Sequence, residues 1–482
     1  MEIEQRGVDT VPEAERTSGP RDVVAILLGS NLALGVIVFG WLPVSFGLGW
    51  WGSLTSLAAG TVVGVVLVAP LALVSLRSAT NLSTSSGAHF GVRGRLLGSL
   101  IGLLLSLGYT ALTLWVGGDA VVGCLHRMLG LPAGAATYAV VYAVLAATTA
   151  TSAVFGYRML LRLSNILAVG LTVLLLAGVL AYAGAFHTSP AHGSHYLLGG
   201  FRPTWLLSAV SAGLSGPMAF ITLLGDYTRY VSPTRHRPRA VFLGTCFGLV
   251  VGLLVPQLFG TFTALAVDAA GPDYAGPLVA ACPAWYLVLL LVNASAGSVG
   301  NAGLMLYSMG LDLDAILPKA TRTQATYVVA AVSTVLVFLG HFAWAAQDAM
   351  TSFVLVLTAV GTPWAVITLL GFARVRGRYD PESLQVYNRR TVGGIYWYTA
   401  GWNLQATVAW AAGSAVGLMA VDTPLYSGPL LRYTGGIDVS FLIAAAVTAG
   451  CYLALDARRP HPLPRETEED AAVTGQGPAV TV

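Results

Sequence analysis

The sequence predicts an all-α membrane protein of twelve transmembrane helices, and three observations predict it. Charged residues are 10% of the 482-residue chain and hydrophobic residues 55%, against about 25% charge in a soluble domain. Twelve apolar runs are each long enough to cross the hydrocarbon, which takes about 20 residues. The runs are continuously apolar rather than alternating, which excludes a β-barrel.

In chain order the runs cover roughly 22–48, 52–76, 94–124, 132–154, 158–184, 204–228, 239–266, 279–308, 323–344, 348–373, 400–421 and 437–456. Basic loops stay in the cytosol. With the N-terminus inside, only Arg127, Arg202 and Arg432 of the 25 Lys and Arg residues fall outside. A wrong span count would scramble that asymmetry, so both termini are expected in the cytosol and the chain in the plasma membrane.

The first 21 residues, "MEIEQRGVDTVPEAERTSGPR", carry five acids and three arginines. A cleavable signal needs a basic start followed by an apolar stretch, so 1–21 reads as a disordered cytosolic tail, and 457–482 reads the same way. Cys124, Cys246, Cys282 and Cys451 lie scattered in apolar runs, as buried small hydrophobes do. A net charge of +3 gives no reason to expect nucleic acid as a partner, and no obligate protein partner is evident.

Two runs are interrupted. The first contains Gly29, Gly35, Gly40 and Pro43; the sixth contains Gly213, Gly216 and Pro217. Proline cannot continue the helix ladder, and unwound backbone at membrane depth must be satisfied by protein or a wet cavity. The breaks lie five spans apart. That spacing predicts two inverted five-helix repeats, 22–184 and 204–373, whose broken helices meet near the midplane to bind substrate and a coupling cation. Glycine and proline that merely allow close packing are the alternative.

Four segments then carry a resemblance. "GAHFGVRGRLLGSL" precedes span three, "GDYTRYVSP" follows span six, "LYSMGLDLDAILP" ends span eight, and "RVRGRYDPESL" with "GGIYWYTAGWNLQATVAWAAGSAVGL" follows span ten. In this order on twelve spans they resemble the nucleobase:cation symporter-1 family, in its purine/cytosine permease branch, over about residues 20–455. The resemblance implies a LeuT-type five-plus-five inverted repeat with two further helices over 400–456.

It also implies site residues. Tyr109 matches a position where relatives stack a tryptophan on the base, and Ser106 a polar contact. Gly216, Pro217 and Ala219 match the unwound segment that meets the ring edge. Leu34 matches an aromatic position of cytosine permeases, and Asn301 the substrate-binding amide. Tyr109 as a packed aromatic, and Asn301 or Asn31 as a link between helices, are the structural alternatives. A flat, neutral ring rich in donors and acceptors needs such an aromatic face and a few fixed polar partners.

For the coupling ion, carbonyls near Gly29 and the hydroxyl of Ser298 are the sodium candidates. Val299 and Gly300 stand where sodium-coupled relatives carry hydroxyls, and sodium wants hard oxygen ligands. A proton needs a titratable group in the membrane; Asp119 is read as the one acid well inside a span besides the interfacial Asp226. Asp226 and Arg229, where span six emerges, are read as a latch on the inward gate or as interfacial anchors with Tyr227 and Tyr230.

His187, His192 and His195 share an external loop and read as solvated rather than metal-binding. No catalytic triad, paired catalytic carboxylates or phosphate loop occurs, so an enzyme is not expected and no cofactor is implied beyond a coupling proton or sodium ion. The expectation is a secondary importer of a nucleobase-like heterocycle, with a passive facilitator as the alternative.

Overall fold

The computed structural model describes residues 7–456 except 191–194, 270, 272, 318–320, 344–345, 424 and 435–437. The expected C-terminal tail, 457–482, lies outside the described residues. Among the described residues eight helices are long and apolar enough to cross a membrane, from Trp50–Ser78 to Ser352–Arg374. A bent pair, Pro20–Asn31 and Leu34–Ser45, makes a further span with a 63° turn at its break. The interrupted segment 201–228 and the shorter apolar helices Leu404–Ala420 and Ser440–Leu455 complete an arrangement consistent with the twelve expected runs. Large apolar side chains such as Val66, Ile166 and Leu180 point outward and exposed, as a lipid-facing surface requires.

The breaks fall elsewhere than the glycines and prolines suggest. The first helix stops at Asn31 and restarts at Leu34, so the break is Leu32–Ala33. Gly29, Gly35, Gly40 and Pro43 all sit inside helices. Their use is close approach: a Cβ on Gly40 would collide with the Gln257 carbonyl of span seven, and one on Gly260 with the Ile37 carbonyl of span one. Span six runs as Phe201–Ser208, a π-helical turn over Ala209–Leu214, and a short turn Ser215–Met218. It then tightens into i→i+3 bonds, Phe220 to Pro217 and Leu223 to Phe220, before Leu224–Thr228. Thus Pro217 ends the regular ladder instead of sitting in an open gap.

The N-terminal segment differs from the expected tail. Residues 7–19 lie ordered across the face that the charge count assigns to the cytosol. Val8 and Val11 are buried, Val11 donates its N–H to the Ala79 carbonyl at 2.9 Å, and Gln385 Nε2 donates to the Val8 carbonyl at 3.1 Å. The charge density of this segment hides its two valines and a guanidinium that finds backbone acceptors.

Two of the resemblance-bearing segments pack together on that face. Arg93 N donates to the Gly401 carbonyl at 2.8 Å and Asn403 N to the Phe90 carbonyl at 2.7 Å. Gly91, at φ +90°, makes the turn between them. Arg93 stacks on Trp397 and Arg95 on Tyr387.

Candidate functional site

Side chains from spans one, three, six, seven and eight converge on a chamber beside the middle of Leu96–Leu129. Both interrupted spans contribute, through Asn31, Gly35 and Phe39 from one and Gly216 and Ala219 from the other. The Tyr109 ring stands 5.9 Å from Phe39, tilted, and 5.7 Å from Phe353, edge-on. Its hydroxyl donates to the Ser215 carbonyl at 3.0 Å, where span six begins to lose its ladder.

Amides organise the rest. Asn301 Nδ2 donates to the Ser30 carbonyl at 2.8 Å, and Asn301 Oδ1 accepts from Thr113 at 2.8 Å. One side chain therefore ties spans one, three and eight. Gln257 Nε2 donates to the Ala212 carbonyl of the π-helical turn at 3.0 Å, and Asn31 Nδ2 to the Leu27 carbonyl at 2.7 Å. Asn31 Oδ1 and Gln257 Oε1 are buried with no partner among the described residues. An unpaired buried acceptor costs about 1–3 kcal/mol. A ligand presenting N–H groups would recover it. The void is about 20 Å³, room for one water, so a larger ligand needs the surrounding side chains to move.

Of the expected substrate residues, Tyr109, Gly216, Ala219 and Asn301 line this chamber. Leu34, Ser106 and Pro217 are buried beside it without lining it. Pro217 packs against Gly64 of span two. Gln257, Phe39 and Thr113 were not anticipated; a lone amide in the apolar run "VPQLFG" was the available signal for Gln257.

The cation candidates Gly29 and Ser298 face different neighbours. Gly29 abuts the Ser164 carbonyl of span five, and Ser298 abuts Gly117 of span three. At the break in span one, the Ser30 carbonyl accepts from Asn301, and the Leu32 carbonyl accepts from Asn293 Nδ2 at 3.2 Å. Side-chain amides thus supply positive hydrogens to these carbonyls.

Asp119 sits apart, near the outer end of span three. Tyr142 donates to it, and His341 Nδ1 stands 3.2 Å from Oδ1. Asp119 and His341, with Asp273, Trp41 and Trp115, line an outer cavity of about 220 Å³. Asp273 lies in the loop beyond span seven; burial first, then the Asp119 charge, raises its carboxyl above its ordinary range.

Asp226 and Arg229 are both buried within the protein. Arg229 donates to the Gly7 carbonyl at 2.8 Å and to the Tyr307 hydroxyl at 3.1 Å. Its cover is the N-terminal segment, whose order the sequence did not reveal. His192 lies outside the described residues, and no group of three potential metal ligands occurs among the described ones.

Comparison with known proteins follows the same lines. A family model described as "Permease for cytosine/purines, uracil, thiamine, allantoin" matches residues 10–444. A putative purine-cytosine permease, YxlA of Bacillus subtilis, is 22% identical, over 94% of this chain and 96% of its own. The purine-cytosine permease fcyB of Emericella nidulans is 25% identical, over 94% and 88%. The solved structure of Mhp1, a nucleobase-cation-symport-1 family transporter in a closed conformation with bromovinylhydantoin bound, superposes with a TM-score of 0.73 at 18% identity, covering 98% of this chain and all of that one. The fold is therefore the LeuT-type membrane architecture that the sequence led us to expect.

Proposed function

The chain belongs to the permease family for cytosine/purines, uracil, thiamine and allantoin, and we propose that it imports a nucleobase or related small heterocycle by ion-coupled alternating access. One observation carries the reading. Two interrupted spans meet a tyrosine ring in a chamber whose two unpartnered amide oxygens await N–H donors. No charged side chain lines that chamber, which suits a neutral ring better than an amino acid or phosphate ester. The basic face is placed in the cytosol, with both termini, and the membrane is the plasma membrane.

The coupling ion in this reading is a proton or sodium. The amide donors on the Ser30 and Leu32 carbonyls favour the proton, because each takes one lone pair of its oxygen and sets a partial positive charge beside it, which weakens the oxygen as a sodium ligand. The test is uptake of labelled cytosine, hypoxanthine, uracil, thiamine and allantoin into proteoliposomes. At least one ring is expected to accumulate above its external concentration and to run down when an ionophore collapses the gradient. Uptake indifferent to the ionophore makes the protein a facilitator, and no uptake of any ring removes the assignment.

A further inference from the structure

The helix that carries Asn301 does not stop where its apolar run stops. It continues to Ile316 and carries Asp312 into the protein, 3% exposed. Asp312 Oδ1 accepts from Ser83 at 2.7 Å, on the short helix Leu82–Ser85 after span two. Oδ2 fills the space that a Cβ on Gly102 of span three would take, and the Thr222 hydroxyl borders the same space. Thr222 is 2% exposed, and its hydroxyl has no partner among the described residues. No ion pair to Asp312 occurs among the described residues. Instead Asp226, also 3% exposed, lies close enough to interact electrostatically.

Other titratable and charged groups stand around this spot. Tyr227, beside Asp226, shares a hydrogen bond with Ser308, one turn before Asp312. Arg229 points to Gly7, Tyr230 and Tyr307. Arg95 points to Thr84 and Asn388. Asp314, two residues on, packs against Gly7. A buried ionised carboxylate with no ion pair is costly, more so with a second acid nearby, and a proton removes the cost.

We propose that Asp312, with Asp226, Ser83 and Thr222, is the binding site of the coupling proton. The claim rests on the transport reading above and names its ion. In the closed state the acid O–H of Asp312 is shielded by the end of span six. When that end moves away, water reaches the site and the O–H bond breaks. The proton passes to water and the electron pair stays on the carboxylate, where Ser83 donates to it. The charged Asp312 carboxylate, costly to bury again, holds the gate open until a proton returns.

The test uses the full chain in proteoliposomes. Cytosine uptake and proton influx, read by a trapped pH dye, are driven by an imposed pH gradient, and cytosine-for-cytosine exchange is measured without a gradient. Asp312→Asn is expected to lose gradient-driven accumulation and proton influx while keeping exchange. Ser83→Ala keeps the acid and removes its donor to the ionised form, so half-maximal uptake is expected at higher pH. It also keeps the proposal testable should the asparagine variant not fold. Gradient-driven uptake and proton influx surviving in Asp312→Asn, an unmoved pH profile in Ser83→Ala, or wild-type uptake driven by sodium alone would overturn the proposal. Each of those results leaves the transport reading standing. Absence of cytosine exchange in the wild type, repeated with the other four rings, removes both.

Discussion

Arg16 and Arg229 clamp the N-terminal segment and the end of span six to each other. Arg16 Nε donates to the Arg229 carbonyl at 3.1 Å, while the Arg229 guanidinium donates to the Gly7 carbonyl at 2.8 Å. Arg16 also reaches the Leu76 and Val231 carbonyls at 2.5 and 2.6 Å. The N-terminal segment therefore straps the ends of spans two and six together across the basic face. Any opening on that side must break these bonds.

Arg16→Ala removes four hydrogen bonds from a charged donor, three to backbone carbonyls and one to Glu13, each worth about 1.5–3 kcal/mol. The expected outcome is a shift toward the inward-open state. A cysteine placed at the buried Thr228 should react with a maleimide at least ~10-fold faster in the variant, the factor that 1.4 kcal/mol carries. An unchanged rate would mean that the strap is not part of the gate.

The strap should also respond to acid. Glu13 accepts from Ser232 and, at 2.9 Å, from Thr234. Burial pushes its carboxyl up, but those hydroxyls and the Arg16 charge outweigh it and hold the group below its ordinary value of 4.5. A depressed value in the attached state means that attachment gains stability above pH 4.5 and loses it as pH falls through the lower, attached value. Protease cleavage within 7–19 is expected to rise as pH falls below 4.5. Glu13→Gln should be cleaved faster at neutral pH and show no such step.

Much of this architecture was legible in the sequence, because lipid forces long apolar runs and charge sorts their loops. The position of the breaks was not. Glycines at 29, 35 and 40 mark where helices touch, as Gly40 against Gln257 shows, and that use looks identical to unwinding in a sequence. Asp312 was missed for a different reason. The "GLDLD" stretch reads as a polar exit from span eight, yet it continues a buried helix with Asn301, Met305 and Ser308 at turn spacing. The contribution of Gln257 depends on span seven packing against the π-helical turn, a tertiary fact no local pattern carries.

Asn293 offers a check on the coupling ion. Its amide donates to the Leu32 carbonyl, and replacing it with alanine leaves that carbonyl unpaired, at a cost of about 1–3 kcal/mol. The wild-type melting temperature is expected to stay unchanged when sodium is replaced by choline at constant ionic strength. Asn293→Ala should melt lower in both salts. A wild-type protein stabilised by sodium specifically would argue for a cation at the span-one break.

Gln257→Ala separates a binding role from a packing role. Losing the bond to the Ala212 carbonyl costs about 1–3 kcal/mol of stability. If Gln257 Oε1 also accepts from the ligand, the variant loses ligand-induced stabilisation on top of that baseline drop. Gln257→Glu keeps the volume and an acceptor oxygen but loses the N–H donor. It should bind a ring better than the alanine variant does.

The central claim is that a flat ring sits against Tyr109 between the two interrupted spans. Its most direct measurement is a thermal-shift titration of the purified protein with cytosine, hypoxanthine, uracil, thiamine and allantoin, in wild type and in Tyr109→Ala. Ligand at 100 times its Kd adds about 2.7 kcal/mol to the native state. The account predicts that at least one ring raises the wild-type melting temperature in a saturable way and that Tyr109→Ala abolishes the rise. A shift of equal size in both proteins, or stabilisation by amino acids or sugars and by none of the rings, would contradict it.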